Sequence, residues 1–273
     1  MKALIEKCKV IIFDLDGTLY EGTCHFDYYA EQIKNELPKE LHQDFERDYE
    51  AMKQGDHALK IGKVYDMEKD VILTLDPMTF SVVEGHTWEG QLLPNSTVEE
   101  WYNEPIVYDE ARMIAVGDGW WLPYVNGAHH GVKDTYHCYD KTKEYMVSKD
   151  FVLPKTEGLK EALMKLKDEK KLVLLTNSDY EDVQRLLKEL ELHGLFDFEI
   201  TDAYKPFETE QHLQKLMILY SVEPHEVVSI GDNFMNEIAP ALKLGMHGVY
   251  ISEHGHTYSN DSLVIVPTLA RAF

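Results

Sequence analysis

Cysteine is scarce in this chain. The three thiols, Cys8, Cys24 and Cys138, are far apart, odd in number and form no CxxC pair. That pattern gives no support for a disulfide framework and offers no CxxC motif, so a reducing compartment, the cytoplasm, is the expected setting. Long apolar runs are also missing: nothing approaches the roughly 18 residues of a membrane-spanning helix, and the first residues lack the apolar stretch of a signal peptide. Positive charge is in short supply, with 27 Lys and Arg against 49 Asp and Glu and a formal net charge of −22. Such a surface repels nucleic-acid backbones and anionic lipid, so neither nucleic acid nor membrane is expected as a partner. It also opposes a phosphorylated ligand unless a local cation compensates. Internal repeats and low-complexity tracts are absent.

What is present is a regular alternation in the second half of the chain. Residues 157–168, 180–191, 207–220 and 234–244 carry apolar side chains at helical spacing. Between them lie short apolar runs at Leu172–Thr176, Phe198–Thr201, Val227–Ile230, Gly248–Ile251 and Leu263–Val266, and Val10–Phe13 stands alone near the start. Strands alternating with helices of about a dozen residues predict an α/β fold with a doubly wound, mostly parallel sheet. The stretch 21–153 breaks this rhythm and is too long for a loop, so it is expected to be an inserted, mainly helical domain. Its helical signal is strongest over 27–60, with further pieces around Trp101 and Ala111; Gly117–Gly131, rich in glycine and aromatics, reads as loops. The expected division is therefore a core of 1–20 and 154–273 around an insertion at 21–153.

The polar residues that follow the core strands form one constellation. Asp14 and Asp16 flank Leu15 behind the strand VIIF, and Gly17 turns the chain. Thr176, Asn177 and Ser178 follow LVLL, Lys205 lies beyond the third strand, and Gly231, Asp232 and Asn233 follow VVSI, with Asn236 and Glu237 a helical turn later. Each fragment alone is an ordinary turn or helix cap. Together, all at carboxyl ends of strands, they would gather in one crevice of a doubly wound sheet. The residue types fit phosphoryl transfer. Asp14 can attack phosphorus, and Asp16 can protonate the leaving oxygen and then deprotonate water. Thr176 and Asn177 can bind phosphoryl oxygens, and Lys205 can neutralise developing charge. Asp14, Asp16 and Asp232 packed together require a cation, and all-oxygen ligation suits Mg²⁺.

DLDGTLY at 14–20, TNS at 176–178, Lys205 within DAYKPF and GDNFMNE at 231–237 resemble the four motifs of the haloacid dehalogenase-like hydrolase superfamily. The resemblance implies a Rossmann-like core with Asp14 as nucleophile and Asp16 as acid/base. It also implies Mg²⁺ held by Asp14, Asp232 and the backbone carbonyl of Asp16. Where the family most often places a second aspartate in the fourth motif, this chain has Glu237. The presence of Asp16 favours phosphate-ester chemistry over carbon–halogen cleavage. The insertion then occupies the place of a family cap, in which Trp120, Trp121, Tyr124, His129 and His130 are candidate substrate contacts. Filling the cap's own core is the competing role for both tryptophans, and adjacent His129 and His130 do not suit zinc. The expected activity is Mg²⁺-dependent hydrolysis of a small phosphomonoester by a monomer or small homo-oligomer. A phosphomutase acting on a sugar phosphate and a non-catalytic phosphate-binding protein are the alternatives.

Overall fold

The computed structural model describes residues 1–107, 112–252, 259–270 and 273. In chain order the elements begin with α1 (Lys2–Lys7), β1 (Val10–Phe13), α2 (Cys24–Lys34), α3 (His42–Gln54), β2 (Val64–Asp66), β3 (Val71–Leu75) and β4 (Val82–Thr87). Next come α4 (Asn95–Trp101), β5 (Met113–Ala115), α5 (Trp121–His129), α6 (Tyr136–Met146), α7 (Leu159–Lys167) and β6 (Lys171–Leu175). The chain ends with α8 (Tyr180–Glu189), β7 (Phe198–Ile200), α9 (Thr209–Tyr220), β8 (Val227–Gly231), α10 (Ala239–Lys243), β9 (His247–Ile251) and β10 (Leu263–Val266). They fall into two compact units, Met1–Gly22 with Leu153–Phe273, and Thr23–Val152.

The first unit is built on a six-stranded sheet in the order β10-β9-β8-β1-β6-β7, and every pair is parallel. From β1 the chain runs through β6 and β7 to one edge, then returns to β8 and runs to the other. The strand order therefore reverses at β1, which is where an open α/β sheet binds its ligands. All four residues of VIIF are buried, as a central parallel strand covered on both faces requires. Val10 and Ile12 join Val173, Leu175, Val227, Leu213 and Leu216 in one cluster. Phe13 instead meets Phe196 edge-on with ring centroids 6.1 Å apart. Burying a side chain of this size contributes about 1.5–3 kcal/mol. The helices supply matching stripes: Leu159 and Leu163 from α7, and Val183, Leu186 and Leu187 from α8. Where the chain leaves this unit and where it returns, Gly22 and Pro154 touch: a Cβ on Gly22 would stand 2.7 Å from Pro154 Cδ.

The second unit is mostly helical, and it also holds a four-stranded antiparallel sheet in the order β4-β3-β2-β5, which the sequence reading did not anticipate. The helices predicted over 27–60 are present as α2 and α3, and the piece near Trp101 as α4; Ala111 lies outside the described residues. The loop reading of Gly117–Gly131 is corrected by α5. Pro123 sits in the first turn of that helix, where no intrahelical partner is lost. Gly127 is there for packing: a Cβ at that position would lie 2.5 Å from Ile33 of α2. No helix among the described residues is long and apolar enough to cross a membrane.

Candidate active site

The parallel register brings the carboxyl ends of the three central strands level. Phe13 pairs with both Leu174 and Ile230, and the Asp14 amide donates to the Ile230 carbonyl at 3.0 Å. Asp14, Thr176 and Asp232 thus leave β1, β6 and β8 along one edge of the sheet. Leu15 is fully buried and anchors the turn, and Asp14 and Asp16 flank it.

Asp14 and Lys205 meet inside the unit. Lys205 Nζ donates to Asp14 Oδ1 at 2.6 Å and to Glu237 Oε1 at 2.7 Å, and all three groups are buried. Burial alone would lower the lysine, but the Asp14 and Glu237 carboxylates outweigh it and hold it above the ordinary lysine value. Glu237 is pushed up by burial, drawn down by Lys205 and pushed up again by Asp14, with a net rise. Two carboxylates share one ammonium here, and Glu237 is the one that burial and its neighbour's charge drive toward the neutral form. Its other oxygen, Oε2, accepts the Asn233 amide at 2.9 Å. The π-helical turn Phe234–Ile238 brings Glu237 back over Gly231, where a Cβ would stand 2.5 Å from Glu237 Cγ. The extra methylene of Glu relative to Asp is used to reach Lys205.

Asp16 is held by two hydroxyls. Tyr20 Oη donates to Oδ1, and Ser178 Oγ donates to Oδ2 at 3.0 Å. Burial raises the Asp16 carboxyl above the ordinary range, the Asp14 charge adds to the rise, and the two hydroxyls oppose it. Sequence reasoning assigned no role to Tyr20 and quoted Ser178 only within its motif. A hydroxyl four positions beyond Asp16 was the available signal.

Thr176 is buried and its Oγ1 accepts the Ser178 amide at 3.1 Å, leaving its own O–H to donate. The Asn177 side chain is engaged by the Lys205 backbone. Oδ1 accepts the backbone amide of Lys205 at 2.7 Å, and Nδ2 donates to the Lys205 carbonyl at 3.1 Å. Asn236 contributes backbone: its amide is capped by Asn233 Oδ1, and its carbonyl accepts from Thr209 Oγ1 at 2.9 Å.

Asp232 lies against the opening turn. Gly17 adopts φ +70°, and a Cβ there would fall 2.1 Å from Asp232 Oδ2. Only glycine leaves room for that carboxylate beside the Asp14–Gly17 backbone. The donor set that results, two carboxylates and peptide carbonyls, is all oxygen and fits a hard divalent cation such as Mg²⁺.

The aromatic candidates lie in the second unit and take part in its packing. Trp120 stands 5.3 Å from Tyr29 and 5.2 Å from Tyr139, centroid to centroid, and Trp121 meets Tyr124 edge-on at 5.5 Å. All three aromatics pack against that unit's buried cluster. His129 stacks on Trp88 and bonds to Asp70 at 2.7 Å, whereas His130 bonds to the buried Asp48 at 3.1 Å, so the two imidazoles, edge-on to each other, serve different carboxylates. In the same unit Glu36, His137 and Cys138 bring ligand atoms within 4.8 Å of one another, a group capable of holding a metal ion that the sequence did not reveal.

Comparison with known proteins follows the same lines. The HAD-hydrolase YfnB from Bacillus subtilis, whose crystal structure is bound to magnesium, superposes with a TM-score of 0.53 at 10% identity, over 97% of this chain and 96% of that one. A dehalogenase solved with an intermediate complex superposes with a TM-score of 0.51 at 16% identity, over 97% and 96%. At such identities the likeness is one of fold. No curated protein matches the chain. The sequence itself matches the haloacid dehalogenase-like hydrolase family over residues 8–245, and the chain belongs to that family of enzymes.

Proposed function

We propose that this hydrolase is a Mg²⁺-dependent phosphatase that cleaves a small phosphomonoester through an aspartyl-phosphate on Asp14. The observation that carries the reading is the buried ion pair between Lys205 and Asp14, with Asp16 on the same turn and held by separate donors. Lys205 binds Oδ1 of Asp14, and Oδ2 attacks phosphorus in line with the departing oxygen. Asp16, kept high by burial, gives its proton to that oxygen, so the alcohol leaves neutral. The Ser178 hydroxyl rotates to suit the protonated Oδ2. In the second half Asp16 takes a proton from water, the water oxygen attacks phosphorus, and the Asp14 carboxylate is released with inorganic phosphate. Thr176 donates its hydroxyl to a phosphoryl oxygen, and Lys205 offsets the charge on the transferring group. Asp14, Asp232 and the Asp16 carbonyl would hold Mg²⁺, which supplies charge neutralisation at the phosphoryl oxygens when bound. In a chain of net charge −22, that cation and Lys205 are what admit an anionic substrate.

The test is phosphate release from an aryl phosphate and a panel of sugar and nucleoside monophosphates, with and without Mg²⁺. Asp14→Asn is expected to abolish release while the protein stays folded. Full activity in that variant sinks the mechanism, and interconversion of phosphate positions faster than phosphate appears would reassign the enzyme as a mutase.

A further inference from the structure

We propose that the side chain of Asn177 is a positioning group that delivers Lys205 to Asp14, rather than a ligand of the transferring phosphate; the catalytic consequence rests on the phosphatase reading above. The loop that carries Lys205 is not comfortable by itself. Asp202 and Tyr204 both adopt left-handed backbone conformations, at φ +48° and +49°, and neither is glycine. Side chains with a Cβ avoid that region, a bulky one most of all, so surrounding contacts must impose it.

Those contacts come from one short stretch. The Asp202 amide donates to the Ser178 carbonyl at 3.1 Å, and the Ala203 amide to the Thr176 carbonyl at 3.0 Å. Asn177, between them, takes both backbone groups of Lys205. The loop is therefore pinned rung by rung to residues 176–178, and the last rung is a side chain at the residue whose Nζ must reach Asp14. That rung needs an acceptor and a donor on one short, planar group. Asparagine offers both. Aspartate offers only the acceptor, and alanine neither. Because the donor facing Oδ1 is a peptide N–H, the orientation of the amide is fixed, and its hydrogen-bonding capacity toward the loop is used before any phosphate arrives.

The experiment has an arm that needs no turnover. With ¹⁵N-labelled lysine, the Nζ resonance of Lys205 is assigned by its loss in Lys205→Met. A buried ammonium bonded to two carboxylates exchanges slowly and gives a distinct signal. Asn177→Ala is expected to shift or broaden that signal, and so is Asn177→Asp, which keeps the acceptor but sets a carboxylate oxygen against the Lys205 carbonyl. Circular dichroism and thermal melting identify any variant that fails to fold, in which case Asn177→Asp carries the test. In the kinetic arm, Asn177→Ala lowers kcat by on the order of a hundredfold, the cost of misplacing a reacting group by about 1 Å, with KM little changed. In a Lys205→Met background the same change costs less than about twofold, because the two residues act as a unit. A raised KM, weaker binding of inorganic phosphate and an unmoved Lys205 signal would overturn the proposal and make Asn177 a phosphate ligand. A Lys205 signal that responds to Asn177 in a protein that hydrolyses no phosphomonoester would uphold the positioning role and refute the phosphatase reading.

Discussion

Replacing Gly17 by alanine separates the strain of a left-handed turn from the displacement of a carboxylate. Gly17 has φ +70°, and an alanine there pays about 1–2 kcal/mol for its Cβ in the left-handed region. Reduced freedom of the unfolded chain returns about 0.4–1 kcal/mol, so the net cost of conformation is roughly 1 kcal/mol, or about 2–4 °C in Tm. Gly158 pays the same toll at φ +78° with nothing within 4 Å of its would-be Cβ, and Gly158→Ala is the control. At Gly17 the Cβ would stand 2.1 Å from Asp232 Oδ2, against the 3.4 Å at which ordinary contact begins, so the carboxylate must retreat by the difference. If Asp232 holds the proposed cation, a retreat of about 1 Å is enough for on the order of a hundredfold loss in rate. The assay is phosphate release as a function of Mg²⁺ concentration, with melting curves for both variants. Gly17→Ala should need much more Mg²⁺ and turn over far more slowly than Gly158→Ala at a comparable or lower Tm. An equal Mg²⁺ requirement in the two variants would refute the placement of Asp232 beside the metal.

Two further expectations concern the rest of the molecule. Glu191 is drawn down from its ordinary 4.5 to about 2 by hydrogen bonds from Lys155 and Lys160. A depressed carboxylate stabilises the fold above its unfolded value, and that contribution is lost as pH falls toward the folded one, here between about 4.5 and about 2. An NMR titration of the Glu191 carboxyl carbon should show the low value, and Lys155→Ala with Lys160→Ala should return it to the ordinary range; an unmoved titration would mean the two lysines do not engage Glu191. Cys24 is exposed, whereas burial pushes the Cys8 and Cys138 thiols up to about 11. A thiol reagent at neutral pH should therefore find one fast cysteine in the native protein, lost in Cys24→Ser, and three after denaturation; a second fast thiol would contradict the packing.

The sequence made the core legible because its signals are redundant. VIIF and LVIV are apolar over their whole length and VVSI at all but Ser229, and helices separate most of the later strands, so period and length agreed on a parallel sheet. The site was legible because the chemistry falls at the ends of those strands. What sequence could not show is where side chains turn once the backbone is set. Asn177 was read as part of a phosphate-binding helix start, and its side chain turns to the Lys205 backbone, a partner 28 positions away that the motif does not announce. The Tyr20 hydroxyl on Asp16 hid inside an apolar-looking motif. The second unit was harder because β2 and β5 are three residues each, too short for a period, and because α5 contains both a proline and a glycine. Their helical tolerance rests on a first-turn position and on the approach of Ile33, neither of which is a property of the segment alone.

The touching of Gly22 and Pro154 has a consequence for how the chain is made. Strand β1 is the keystone of the sheet, yet its partners Lys171–Leu175 and Val227–Gly231 emerge from the ribosome long after it. Until then VIIF is an unpaired apolar strand, the kind of segment that aggregates. Closing the sheet across an unstructured stretch from Thr23 to Val152 would cost about 4 kcal/mol of loop entropy beyond the fixed term. If that stretch has already condensed into its own unit, a far shorter span of free chain remains to be closed. An inserted unit condensed at that point, some twenty residues before the second core strand is made, would shorten the search of β1 for β6.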